Sequence, residues 1–136
     1  MKFKTKVKSH IKELREEYNL SQQELADKIS VSRQTIYYLE KGSYNPSLTI
    51  SFKIAEVFDD KTLKEIFYQE PIIRDMLKSK TLEELDKISS EVGITTSKLI
   101  RLNNIGDHKL DESYTKQELD KIAKLLDSKF ENLFEE

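Results

Sequence analysis

Arg33, Gln34, Thr35, Tyr37, Tyr38 and Lys41 fall within nine residues, separated only by Ile36, Leu39 and Glu40. On a helix, Ile36 and Leu39 would turn inward and leave the other six on one outward face. Their chemistry suits the edges of base pairs. Arg bonds bidentately to guanine, Gln bonds to adenine, and a Thr methyl packs against thymine. A merely solvated helix face can show the same spacing. The weight therefore rests on the residue types and on the elements that must hold them.

Those elements can be read from the flanking residues. Ser21 followed by Glu24 forms a capping box, in which the Ser oxygen takes an orphan amide and the Glu side chain reaches back. A short helix starts there, with Leu25, Ala26 and Ile29 as its buried stripe. Ser30-Val31-Ser32 interrupts the stripe with residues that prefer turns and caps, and Ser32 is suited to start a second helix. Gly42 follows the last apolar turn, where a left-handed residue is wanted. Ala26 is small where two such helices would cross closely.

The run from Ser21 to Gly42, with Gln22 and the following Tyr44-Asn45-Pro46-Ser47-Leu48, resembles the helix-turn-helix of the Cro/repressor (XRE-like) family. The resemblance covers about residues 8 to 70. It implies a five-helix DNA-binding domain whose second motif helix enters the major groove by its N-terminal end. Arg33, Gln34 and Thr35 would then read bases, with Tyr38 one turn further on. Tyr38 is bulky where shorter polar side chains are common. Gln22, Lys41, Ser43, Tyr44 and Asn45 would hold phosphates and fix the register. The family also implies double-stranded DNA as partner and a homodimeric transcriptional regulator, expected to be a repressor. Its two heads would stand about 34 Å apart on an inverted repeat.

Composition sets the remaining bounds. In 136 residues there are three Gly, two Pro and no Cys, and 35% are charged. An all-α chain is expected, with no disulfide, thiolate metal site or cysteine catalysis. The net charge of −2 divides unevenly. Residues 1 to 70 carry 12 Lys and Arg against 11 Asp and Glu, and residues 71 to 136 carry 11 against 14. Affinity for DNA must then come from a few placed contacts rather than from bulk charge. No run reaches the 18 or so apolar residues of a membrane span, and no signal peptide is evident. A soluble, cytoplasmic chain is expected.

Along the chain, residues 1 to 8 alternate Met1, Phe3, Thr5 and Val7 with four lysines. That is the pattern of a half-buried strand or of a basic arm. A strand could pair with residues 66 to 72, and some small relatives carry such a terminal ribbon. Ile11, Leu14 and Tyr18 define a first helix that ends at Asn19. A fourth helix runs from about 48 to 58, with the stripe Leu48, Ser51, Ile54, Ala55 and Phe58, and a fifth from 63 to 68.

The second half repeats the first. Leu25, Ala26, Ile29, Ser30, Val31, Ser32, Ile36 and Leu39 map onto Ile88, Ser89, Val92, Gly93, Ile94, Thr95, Leu99 and Leu102 at a constant offset of 63. A domain of residues 1 to 70 is thus followed by a degenerate helical domain of similar plan, 71 to 136, opening on a helix with Ile72, Ile73, Met76 and Leu77. In the copy Leu85 stands for Gln22, and Thr96, Ser97 and Lys98 for the base-reading triplet. A dimerisation or protein-partner role is expected for it, although Lys98 and Arg101 keep a second DNA contact open. An antitoxin or anti-regulator, with the second half as clamp, is the rival function. His10 and His108 suggest no metal pair, Asp107, Asp111 and Glu112 beside Gly106 do not follow a calcium-loop pattern, and no cofactor loop or enzymatic constellation is present.

Overall fold

The computed structural model describes residues 1 to 104, 109, 110 and 112 to 136. His108, Asp107, Asp111 and Gly106 lie outside them. The described residues form ten helices and four short strands, grouped into two compact units. One unit is Lys6–Gln69. The other joins Met1–Thr5 to Glu70–Glu136.

The first unit contains α1 (Ile11–Glu17), α2 (Gln22–Ile29), α3 (Arg33–Lys41), α4 (Leu48–Val57) and α5 (Leu63–Ile66). Its core is Ile11, Leu14, Leu25, Ala26, Ile29, Ile36, Leu39, Ile54, Phe58 and Ile66. Each large apolar side chain buried there stabilises the fold by about 1.5–3 kcal/mol. The caps follow from the sequence. Ser21 Oγ accepts from the Glu24 amide at 3.0 Å while Glu24 accepts from the Ser21 amide at 3.1 Å. These bonds to Ser21 hold the Glu24 carboxyl below its ordinary pKa. Gly42 ends α3 at φ 73°, and Asn19 stands in the left-handed region at φ 56° after α1.

Two local expectations are corrected. Leu48 is 73% exposed and so is no part of the α4 core stripe. It stands on the exposed face of α4 with Phe52 and Glu56, about 120° round the helix from Ile54. The fifth helix stops at Ile66 instead of running to 68, and Phe67–Pro71 continues as strand β3. Pro71 has no amide to donate, and aromatic residues before it favour extended backbone.

The alternating N-terminus forms two strands rather than one strand or a loose arm. Strand β2 (Thr5–Ser9) pairs with β3, whereas β1 (Lys2–Phe3) pairs antiparallel with β4 (Phe134–Glu135) at the other end of the chain. The second unit is thereby completed by the first residues of the chain. Its core includes Phe3, Ile73, Leu77, Leu85, Leu99, Leu102, Leu119, Ile122, Leu133 and Phe134.

The helices of that unit are α6 (Ile72–Lys78), α7 (Leu82–Val92), α8 (Thr96–Arg101), α9 (Lys116–Leu125) and α10 (Phe130–Leu133). They follow the same order as α1 to α5, and α9 and α10 match α4 and α5 in length. The α7 capping box is at Thr81 and Glu84, so α7 starts a turn earlier than α2 does. Gly93 and Ser30 hold the same left-handed cap, at φ 86° and 57°. Glycine adopts this conformation without strain and serine does not. Ser30→Gly should therefore raise stability by about 0.5–1 kcal/mol in urea unfolding, and a loss would show that the Ser30 side chain matters more than its backbone.

Candidate nucleic-acid interface

The α2–α3 pair is fixed at both ends of α3. Ser32 Oγ accepts from the Thr35 amide at 3.1 Å, and Gly42 donates to Leu39 O while Ser43 donates to Tyr38 O. Ile36 and Leu39 are buried, with 0% and 2% exposure. What remains outward is a polar and aromatic face.

On that face Arg33, Gln34 and Tyr37 line an open recess of about 300 Å³. The Tyr37 and Tyr38 rings meet edge to face with centroids 5.4 Å apart. Lys41 Nζ lies 4.9 Å from the centre of the Tyr37 ring. A hydrogen bond to Tyr37 raises the Lys41 pKa above its ordinary value. Thr35 is half-buried and its hydroxyl lies 2.9 Å from that of Ser32, which engages the oxygen in the cap. Ser43, Tyr44 and Asn45 are exposed in the loop that follows α3.

Gln22 is held more tightly than the sequence suggests. Its Nε2 donates to Glu40 Oε2 at 2.6 Å, and its Oε1 accepts from Arg33 Nε at 3.4 Å. Glu40 in turn accepts from Arg15 Nε at 2.7 Å, with the two side chains 7% and 13% exposed. Arg15 also donates to Leu20 O at 2.9 Å. The one acidic residue of α3 is thus turned into the protein, and a chain of bonds from α1 through Glu40 and Gln22 reaches Arg33. Neither Glu40 nor Arg15 was picked out from the sequence. The available signal was a lone acid on an otherwise basic and neutral helix.

The equivalent face of the second unit is composed differently. Thr96 Oγ1 donates to Asp86 Oδ1 at 2.6 Å and lies 2.9 Å from Ser89 Oγ. Lys98 donates to Ser113 O and lies 3.5 Å from Glu118, and its Nζ stands 5.0 Å from the centre of the Tyr114 ring. Arg101 donates to Ser113 Oγ at 2.7 Å and also lies over Tyr114. Both cations of α8 are engaged within their own unit. Among the described residues no group of three or more His, Asp or Glu could hold a metal, and no helix is long and apolar enough to cross a membrane.

Two short helices joined by a tight turn, the second with a polar outward face, define a helix-turn-helix protein. The helix-turn-helix family model matches residues 11 to 66, within the first unit. An uncharacterized HTH-type transcriptional regulator of Archaeoglobus fulgidus is 49% identical over 61 residues, 45% of this chain and 84% of that protein. One of Methanocaldococcus jannaschii is 48% identical over 64 residues, 47% of this chain and 96% of the relative. A longer putative HTH-type transcriptional regulatory protein of Pyrococcus furiosus is 35% identical over 78 residues, 57% of this chain but 25% of its own length. The chain belongs to the helix-turn-helix family of transcriptional regulators.

Proposed function

We propose that this protein is a sequence-specific DNA-binding repressor, acting in the cytoplasm as a homodimer on an inverted repeat and reading the major groove with α3 from Arg33 onward. The observation that carries the reading is the α3 face. It presents Arg33, Gln34 and Tyr37 around one recess and Lys41 beyond them, while Glu40, its only acid, is neutralised by Arg15. Removing that carboxylate from the face takes away the one charge that would repel a phosphate.

In this reading Arg33, Gln34 and Thr35 contact base edges, and Tyr38 contacts bases or sugar one turn on. Lys41, Ser43, Tyr44 and Asn45 hold phosphates at the flank. Gln22 does so with its second amide hydrogen, while its other bonds steady Arg33. The reader is the unit Lys6–Gln69, within the span of residues 1 to 70, and the unit built mainly from residues 71 to 136 serves dimerisation or a protein partner. The engagement of Lys98 and Arg101 with Ser113, Tyr114 and Glu118 weighs against a second DNA contact by that half. With a protein partner on that half, the second reading is an antitoxin or anti-regulator whose helix-turn-helix serves autoregulation.

Binding titrations against randomised duplexes test the reader. Gln34→Ala should lose about 1–3 kcal/mol and relax preference at one base position. Lys41→Ala should weaken all sequences alike and reduce the slope of log affinity against log salt by about one. Unchanged affinity and unchanged base preference in Gln34→Ala would sink the docking model.

A further inference from the structure

Strand β2 delivers a side chain to the end of α3. Ser9 Oγ donates to Leu39 O at 3.3 Å and the His10 amide donates to Ile66 O at 2.8 Å, so the end of the strand is tied both to the last turn of α3 and to α5. Lys8, just before Ser9, is placed by these bonds. Its stem runs across Gly42, with Cγ, Cε and Cδ lying 3.1, 3.4 and 3.6 Å from the position that a Cβ on Gly42 would occupy. Gly42 therefore serves twice. Its φ of 73° ends the helix, and its missing side chain leaves room for the lysine stem. The ammonium, one bond beyond Cε, stands at the C-terminal end of α3.

We propose that Lys8 is a phosphate-binding residue of the DNA interface, so that the N-terminal strand widens the surface α3 presents. The inference rests on the reading of α3 and the loop after it as the DNA-binding face. Position is the first support. Gly42 lies between Lys41 and Ser43, which that reading assigns to phosphates, and Lys8 covers it. The Lys41 ammonium is drawn back over the Tyr37 ring, one turn toward the start of α3, whereas that of Lys8 stands at the helix end. The two cations are spread along α3 and would meet different phosphates.

Charge is the second support. Residues 1 to 70 carry 12 Lys and Arg against 11 Asp and Glu, so affinity depends on where single cations are placed. The carbonyl end of α3 is the negative pole of its dipole and favours a cation there. That pole and the contact with Gly42 hold Lys8 in place before DNA arrives, which lowers the entropy lost on binding. A lysine serving only the helix pole would affect stability and leave the salt dependence of binding alone. This difference sets the test.

Lys8→Met keeps an unbranched stem over Gly42 and removes the charge. A duplex enriched from a randomised library by the full-length protein is titrated over a series of salt concentrations with the parent, Lys8→Met, Lys8→Arg and Lys41→Ala, and urea unfolding of each checks the fold. Lys8→Met should bind about eightfold more weakly near 0.1 M salt and lower the slope of log affinity against log salt by about one, with base preference unchanged. Lys8→Arg should keep the parent slope. An unchanged slope in Lys8→Met beside a lowered one in Lys41→Ala overturns the inference and leaves the reader standing, whatever happens to stability. A slope that falls equally in Lys8→Arg assigns the loss to packing and overturns it too. Slopes unchanged in both Lys8→Met and Lys41→Ala overturn the phosphate assignment of the whole segment and the inference with it. Enrichment of no duplex overturns the DNA-binding reading itself.

Discussion

Glu40→Ala should destabilise the first unit by about 2–3 kcal/mol, because it breaks a part-buried ion pair and a second hydrogen bond at once. The substitution leaves the Arg15 guanidinium, 13% exposed, without the carboxylate that neutralises it at 2.7 Å. The bond from Arg15 to Leu20 O supplies a carbonyl dipole in place of a full charge. Gln22 Nε2 loses its acceptor at the same time. Urea unfolding followed by far-ultraviolet circular dichroism measures the loss, and a change below about 1 kcal/mol would mean that water or a neighbour takes over the pairing. Replacing both partners by apolar residues, Arg15→Met with Glu40→Leu, should recover most of the stability, because a buried pair is costly to break but cheap to exchange for packing. The double variant also separates stability from function. Gln22 would still have lost Glu40, so Arg33 would be less constrained, and DNA affinity should remain reduced although the fold is restored.

The contrast between Glu40 and its helix shows what the sequence could disclose. Capping residues act on neighbours three positions away, so Ser21 with Glu24, Ser32 and Gly42 could be read directly, and with them the bounds of α2 and α3. Types on an outward helix face are equally local, which is why Arg33, Gln34 and Lys41 stood out. Glu40 meets residues 25 and 18 positions away, and nothing in its own surroundings distinguishes a buried carboxylate from a solvated one. Leu48 failed for the opposite reason. Its three-residue step to Ser51 fitted the stripe of α4, but the six residues to Ile54 carry it about 120° round the helix, onto the exposed face of Phe52 and Glu56. The repeat at an offset of 63 was legible because matched apolar positions and matched caps preserve register. It could not reveal the extra turn of α7, since Thr81 and Glu84 lie beyond the matched segment. Least legible was the pairing of Phe3 with Phe134, which joins the two ends of the chain through a strand of two residues.

Phe3→Ala should accordingly disrupt the second unit and spare the first. Phe3 is 3% exposed, its ring lies 5.8 Å from that of Phe134, and Phe134 lies 5.4 Å from Phe130. On either side of it the backbone is tied down. Lys2 and Phe3 pair with Glu135 and Phe134, the Lys4 amide donates to Leu133 O at 2.9 Å, and the Ile72 amide donates to Lys4 O at 2.9 Å. Loss of a buried phenyl ring costs about 3–5 kcal/mol, which is most of the stability a unit of this size can hold. Hydrogen exchange on the full chain, resolved by residue, should show amides of α7, α8 and α9 losing protection by two orders of magnitude or more while those of α2, α3 and α4 keep theirs. Phe3→Leu retains most of the volume and should cost less than about 1.5 kcal/mol. Equal loss of protection in both sets of helices would mean that the units unfold as one, and no loss in either would remove Phe3 from the core. A selective loss would mean that residues at the very start of the chain stabilise its C-terminal half, so that extending or trimming the N-terminus changes the second unit before it touches the α3 face.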